Sequence, residues 1–163
     1  MVLSTVSLAN AALTLTISGP SMFLPGAVGT YTVGYTGGTI LGTDVDIVVD
    51  FGTIGGGVAI TTNRDPALDY FGINSASPNY ECAIINDIAG TDMGSPLFSF
   101  QFTAPAFLPP GGVAHIQLLD NAQLDLNWNQ VMDAVMPSFR VFAPEPMTLG
   151  LLGLGGLFLR RRK

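Results

Sequence analysis

The residues best suited to chemistry are carboxylates on a strand. Asp44, Asp46 and Asp50 recur at even spacing in Asp44-Val45-Asp46-Ile47-Val48-Val49-Asp50, which places all three on one face of an extended chain. Hard cations are held by carboxylate and carbonyl oxygens, so this trio is a candidate for Ca2+. The ordinary alternative is a solvated strand face, and the spaced Asp/Asn pattern of a calcium loop is absent. Asp87 and Asp92 flank a Gly loop, and Asp120 and Asp125 flank a turn, without that pattern either. Cys82 and His115 are the lone thiol and the lone imidazole. One of each cannot fill a zinc site. A Cys82–His115 nucleophile–base pair would need the two side chains brought together in space. The alternative is that both are structural residues of strands. No catalytic residue is assigned, and no cofactor beyond the Ca2+ candidate.

A second kind of chemistry is sugar stacking. Trp128 stands in Leu126-Asn127-Trp128-Asn129-Gln130, so an indole platform would be flanked by Asn127 and Asn129, whose amides suit hydroxyls. The alternative is a buried tryptophan, common in β-sandwich cores. Tyr31 and Tyr35 share a strand face, and Tyr70 and Tyr80 lie near loops. Gly55-Gly56-Gly57 lacks the Lys and Ser/Thr of a phosphate-binding loop and reads as a hairpin turn.

The elements that would position these residues are strands. Leu13, Leu15 and Ile17 alternate with Thr14, Thr16 and Ser18, and Gly19-Pro20 ends the run. Tyr31, Val33 and Tyr35 repeat the pattern. In the stretch from Asp44 to Asp50, Val45, Ile47 and Val49 face inward and the acids outward. Phe98, Phe100 and Phe102 give a heavy aromatic face. Further strands are expected at 58–62, 68–73, 80–87, 113–119, 122–128 and 138–142. No stretch sustains a 3.6-residue apolar period, and Gly (20) and Pro (11) are frequent. The expected fold is all-β: an antiparallel sandwich of about nine strands, followed by a short C-terminal hydrophobic helix. Cys82 is the single cysteine, so no internal disulfide staples it.

Two stretches add to this. Val45-Asp46-Ile47-Val48-Val49-Asp50 and Ile116-Gln117-Leu118-Leu119-Asp120-Asn121-Ala122-Gln123-Leu124-Asp125-Leu126-Asn127 resemble the strands that frame the jelly roll of cohesin-type β-sandwiches. Asp50-Phe51 stands where that family carries Tyr-Asp, and Trp128 where Gly is typical. The resemblance implies a cohesin-like fold and carries over no binding residues.

The C-terminus has its own character. Pro144-Glu145-Pro146 and Thr148 precede an apolar run to Leu159, closed by Arg160, Arg161, Arg162 and Lys163. Met147 to Leu159 would make roughly 20 Å of helix, short of a hydrocarbon core of about 30 Å. The cations would stay on the cytoplasmic side. These residues resemble the sorting segment of PEP-CTERM proteins, which are exported by Gram-negative bacteria and often linked to biofilm matrix. That resemblance implies an exosortase-type membrane protease as partner, with Pro144, Glu145, Pro146 and Thr148 as the sorting and cleavage site. It also implies that Arg160, Arg161, Arg162 and Lys163 act as membrane-retention charges.

Residues 1–12 end in Ala9-Asn10-Ala11 and read as a signal-peptide remnant, 13–143 as the β-sandwich, and 144–163 as the sorting segment. Residues 1–143 hold two arginines against eleven acids, a net of −9, and the tail adds +3, giving the chain its −6. A body this acidic is not drawn to nucleic acid. The expectation is an exported surface or matrix protein, structural or adhesive, transiently anchored at the inner membrane and binding a protein or a polysaccharide. The alternatives are a carbohydrate-binding module using Trp128 and a secreted hydrolase using Cys82 and His115.

Overall fold

A computed structural model of the chain describes residues 12–73, 79–86, 88, 90–107, 112–131 and 136–142. The expected sorting residues Pro144, Glu145, Pro146 and Thr148, the expected C-terminal helix with Arg160, Arg161, Arg162 and Lys163, and the expected signal-peptide remnant up to residue 11 lie outside the described residues, as does Asp87. Among the described residues no helix is long and apolar enough to cross a membrane.

The described residues form nine strands in order: β1 (Thr14–Ser18), β2 (Val28–Thr36), β3 (Gly42–Val49), β4 (Thr53–Ala59), β5 (Tyr70–Ile73), β6 (Tyr80–Ile85), β7 (Phe98–Thr103), β8 (Val113–Leu124) and β9 (Ser138–Phe142). A single 3-10 turn, Pro66–Leu68, is capped by Asp65, whose carboxylate accepts from Ala67 N at 2.9 Å. The strands form two sheets, ordered β1-β2-β7-β4 and β5-β6-β3-β8-β9. Each strand pairing within them is antiparallel.

The alternation read from the sequence is what closes the sandwich. Leu15, Tyr31, Val33, Phe98, Phe100 and Phe102 from the smaller sheet meet Val45, Ile47, Cys82, Ile84, Ile116 and Leu118 from the larger one, all buried. Tyr31 stacks on Phe100 with ring centroids 5.5 Å apart and meets Phe139 edge-on at 5.4 Å, an aromatic joint between the two sheets. Its hydroxyl donates to Pro20 O at 2.6 Å, so the buried ring leaves no orphan. Burial pushes that phenol up to about 12.

Three expectations are corrected. Gly55-Gly56-Gly57 is not a hairpin turn but the interior of β4, where the register against β7 slips between Gly55 and Val58. Gly56 has φ +60°, and a Cβ on Gly57 would sit 2.4 Å from the Phe71 ring. The glycines therefore serve a bulge and a close sheet-to-sheet approach. The stretches 113–119 and 122–128 are not two strands but one, β8, bent by a bulge opposite Asp44/Val45. Its chain leaves the sheet at Asp125, before Trp128. Asp46, expected on a solvated face, does point away from the core but is only 5% exposed, because β6 and β8 flank its central strand and polar side chains cover it.

Candidate functional site on the outer face of the larger sheet

The outer face of β5-β6-β3-β8-β9 carries the most developed polar cluster. Register fixes its rows: Asp44 lies between Ala83 and Ala122, and Asp46 between Glu81 and Leu119. Ala122 pairs with Asp44 while Asp120 pairs with Val45, which leaves Asn121 as the extra residue of the β8 bulge. A bulge re-aims a side chain, and here it turns one amide onto two acids. Asn121 Nδ2 donates to Asp44 Oδ1 at 3.2 Å and to Asp46 Oδ1 at 3.1 Å. From the other side, Asn79 Nδ2 donates to Asp46 Oδ2 at 3.0 Å. Amides thus clamp these carboxylates from both sides. Glu81 completes the acidic row; its carboxyl is held above the usual range, first by desolvation and then by the charges of Asp44 and Asp46. Among the described residues no group of three or more His, Cys, Asp or Glu side chains is arranged to hold a metal ion.

Asp50 does not join this cluster. It follows the end of β3, where its Oδ2 lies 2.7 Å from His115 Nδ1. An ionised carboxylate only accepts, so the imidazole proton in this contact sits on Nδ1. His115 lies on the outer face of β8, beside Arg140 of β9.

Cys82 is on β6, facing the core and fully buried. Its thiol is pushed far above its ordinary range, chiefly by desolvation. The two residues of the postulated nucleophile–base pair therefore occupy opposite faces of one sheet, and a thiol so held cannot supply a thiolate. The partner that His115 has is Asp50.

Trp128 is neither a strand residue nor part of the core. It is 47% exposed, in a tight turn at the end of the sandwich away from β9's terminus, with φ +66°. Asp125 builds the turn: its Oδ1 accepts from the backbone N–H groups of Asn127 and Asn129, both at 2.8 Å, and its Oδ2 from Asn129 Nδ2 at 3.1 Å. These bonds, those from Asn129 foremost, hold the Asp125 carboxyl below its usual range. The Asn129 amide thus serves the loop itself and is not held out beside the indole. Of the tyrosines, Tyr31 and Tyr35 are buried. Tyr35 donates to the Asp92 carboxylate at 2.6 Å, and Asp92 also accepts from Ile40 N at 2.8 Å. Tyr70 is exposed, with its hydroxyl bonded to Ile73 O at 2.9 Å.

A cleft of about 470 Å³ opens beside β4, walled by Ile47, Val49, Ile54 and Ile73. Its polar lining comes chiefly from Asn79 and Tyr80. Asn79 is bonded to Asp46, and the Tyr80 hydroxyl accepts from Gly57 N at 3.0 Å. It offers an apolar wall and no converging reactive groups.

Sequence reasoning missed Asn79 and Asn121, which organise the acids, and the Asp92–Tyr35 pair. Asn121 lies within the stretch that resembles the cohesin pattern, but only the register shows that it is the bulged residue.

The architecture is that of an antiparallel β-sandwich of a four-stranded and a five-stranded sheet. Solved structures that match the chain in fold include cohesin modules. The chain is similar to the sixth cohesin of scaffoldin B from Acetivibrio cellulolyticus, solved in complex with a dockerin, at 16% identity over 83% of this chain and 99% of that one, TM-score 0.59. It is similar to a cohesin module of a family 33 glycoside hydrolase from Clostridium perfringens at 10% identity over 83% and 98%, TM-score 0.63. The third ScaB cohesin of R. flavefaciens, also in complex with a dockerin, matches at 15% over 85% and 99%, TM-score 0.56. At these identities the likeness establishes the fold. No protein-family model matches the chain, and no curated protein matches it.

Proposed function

We propose that this chain is an exported, non-catalytic binding module, delivered to the cell envelope by its C-terminal segment and structural or adhesive in its work. The observation that carries the binding role is the Asp44–Asp46 pair clamped by Asn121 and Asn79, with Glu81 beside it on an outward-facing sheet. Like charges placed opposite one another cost stability. A partner offering amide, hydroxyl or cationic groups would recover that cost. The dockerin-bound cohesins of the same fold support a protein as the partner class. Ca2+ at Asp44 and Asp46 remains part of this proposal only as a bridging ion. Binding of the exported protein to the matrix of its own cells should fall at least about tenfold, the equivalent of one 1.4 kcal/mol contact, in an Asp46→Asn/Asn121→Ala variant shown by circular dichroism to be folded at the assay temperature. Undiminished binding would remove the face from the reading.

The delivery role rests on the resemblance at residues 143–163. Pro144, Glu145, Pro146 and Thr148 would mark the processing site for an exosortase-type protease, and Arg160, Arg161, Arg162 and Lys163 would hold the segment at the membrane. Intact-mass analysis of the exported protein should show a chain lacking the residues after the Pro-Glu-Pro box. A mature protein retaining Lys163 would make the segment a plain anchor.

A second reading is favoured by one observation, the half-exposed indole of Trp128 on a rigid turn. On this reading Trp128, with Asn127, stacks on a sugar ring. Glycan-array binding that survives Trp128→Ala would end it.

A further inference from the structure

One end of the sandwich combines exposed apolar side chains with a scarcity of acids. Val28, Thr53 and Thr103 meet there, β3 ends against Ile116, and β9 ends at Phe142 beside Val113. Met22 forms a parallel bridge with Phe142, through Phe142 N to Ser21 O at 2.9 Å and Phe23 N to Phe142 O at 3.1 Å. Phe23 and Val141 point into the core, so Met22 and Phe142 are turned outward together. Gly26 N donates to Pro105 O at 3.1 Å, which sets the Leu24 turn beside the segment leading to Phe107. Phe107 is 83% exposed, Met22 60%, Leu24 53% and Phe142 44%. Isolated exposed apolar residues need no explanation, but a group at one end does.

The same end is nearly free of acids. Residues 12–43 and 93–119 contain no Asp, Glu, Lys or Arg. Among the described residues the acid at this end is Asp50, bonded to His115; Arg140 lies two residues before Phe142, and in the sequence Glu145 follows Phe142 by three. Asp65, Asp92 and Asp125 lie at the opposite end, tied respectively to Ile85, Ile40 and the residues following Leu124.

We infer that this end rests on a lipid surface while the C-terminal segment is in the membrane, with Met22, Leu24, Phe107 and Phe142 entering the headgroup layer. The inference rests on the sorting-segment reading above. Four residues, Ala143 to Pro146, separate Phe142 from the apolar run, and fully extended they reach at most ~14 Å. The tether holds this end, and no other, within reach of the interface. Anionic lipid in the leaflet that faces the body repels carboxylates within a Debye length of roughly 8–10 Å. The acid-rich end is therefore driven outward and the acid-poor end inward. Amphipathic surfaces bound this way sink about 5–10 Å into the boundary.

The test uses the full chain reconstituted in vesicles of phosphatidylethanolamine and phosphatidylglycerol carrying acyl-chain bromines as quenchers. The native Trp128, at the far end, serves as one reporter. In a Trp128→Phe background, Phe107→Trp and Leu24→Trp report on the proposed contact and Leu154→Trp on the tail. The inference expects the emission of Phe107→Trp and Leu24→Trp to fall by roughly half, as for an indole at the depth of an interfacial side chain, with Leu154→Trp quenched and Trp128 bright. If Leu154→Trp is quenched while Phe107→Trp and Leu24→Trp stay bright, the inference fails and the sorting reading stands. A blue-shifted but unquenched Phe107→Trp means that the tail or a second copy covers this end, and also overturns it. An unquenched Leu154→Trp overturns both.

Discussion

Asn121 donates one amide hydrogen-bond group to both Asp44, at 3.2 Å, and Asp46, at 3.1 Å, and it can do so because it is the residue left over in the β8 bulge. The acids are two residues apart on β3, and a regular partner strand would have set its side chains opposite them in register, one row each. The bulge places a single donor between the rows. This makes the acidic face a built feature of the sheet.

Asn121→Ala should therefore destabilise the fold by about 1.5 kcal/mol, the lower end of the range for hydrogen bonds to charged groups, because the site is partly wet. Asn121→Asp should cost more at neutral pH by adding a third carboxylate. The gap between the two variants should narrow as pH falls and carboxylates are neutralised. Urea unfolding at neutral and acidic pH measures both, and equal stabilities at neutral pH would contradict the electrostatic account.

Glu81 gives a pH dependence of defined sign. Its carboxyl is held above its ordinary range in the folded state, chiefly by desolvation, so the folded protein holds this proton more tightly than the unfolded chain. Stability contributed by the protonated form is present below the ordinary value and is lost as pH rises through the raised one. Glu81→Gln should be as stable as the parent at low pH and slightly more stable at neutral pH. Thermal melts across this range should show the variant's advantage appearing on the alkaline side; an advantage confined to acid would reverse the argument.

Trp128 sits at φ +66°, a region that costs a side-chain-bearing residue of the order of 1 kcal/mol. Trp128→Gly should leave stability unchanged or raise it by up to about 1 kcal/mol, after allowing for the greater freedom of glycine in the unfolded chain. Trp128→Ala keeps the strained backbone and should not stabilise. A clear loss on Trp128→Gly, followed by far-UV circular dichroism in urea, would mean that the indole packs on the turn and is not held out from it.

The glycines of β4 offer a matched pair. A Cβ at Gly57 would meet Phe71 Cδ1 at 2.4 Å and its Cβ at 2.9 Å, whereas one at Gly55 meets nothing within 4 Å. Gly57→Ala should cost about 1–3 kcal/mol through overpacking, and Gly55→Ala well under 1 kcal/mol. Comparable melting points for the two variants would show that the sheets separate easily here.

Cys82 should be silent to thiol reagents in the native state. Its burial keeps the thiol protonated at ordinary pH, so labelling with an aromatic disulfide at mildly alkaline pH should track unfolding. Rapid labelling of folded protein would place Cys82 nearer the surface than the fold does.

Much of the framework was legible because period-two alternation is a local property. Leu13–Ile17, Tyr31–Tyr35, Val45–Ile47 and Phe98–Phe102 each announce an inward face, and each faces the core as expected, Ile17 being only partly buried. The departure of Trp128 from the glycine of the cohesin pattern was also visible, and the fold turns it into a positive φ. What the one-dimensional pattern could not supply was pairing. Whether Gly55-Gly56-Gly57 turns the chain or bulges a strand depends on β7 lying alongside and on Phe71 reaching in from the other sheet. Whether Cys82 and His115 meet depends on strand parity in two different strands, and the parities put them on opposite faces. The clustering of Asp44 and Asp46 with Asn79 and Asn121, residues tens of positions apart, exists only once β6 and β8 flank β3. Sequence determines which way each side chain points along its own strand; only the tertiary structure decides which side chains stand opposite, because that is set by register between segments that the chain itself keeps far apart.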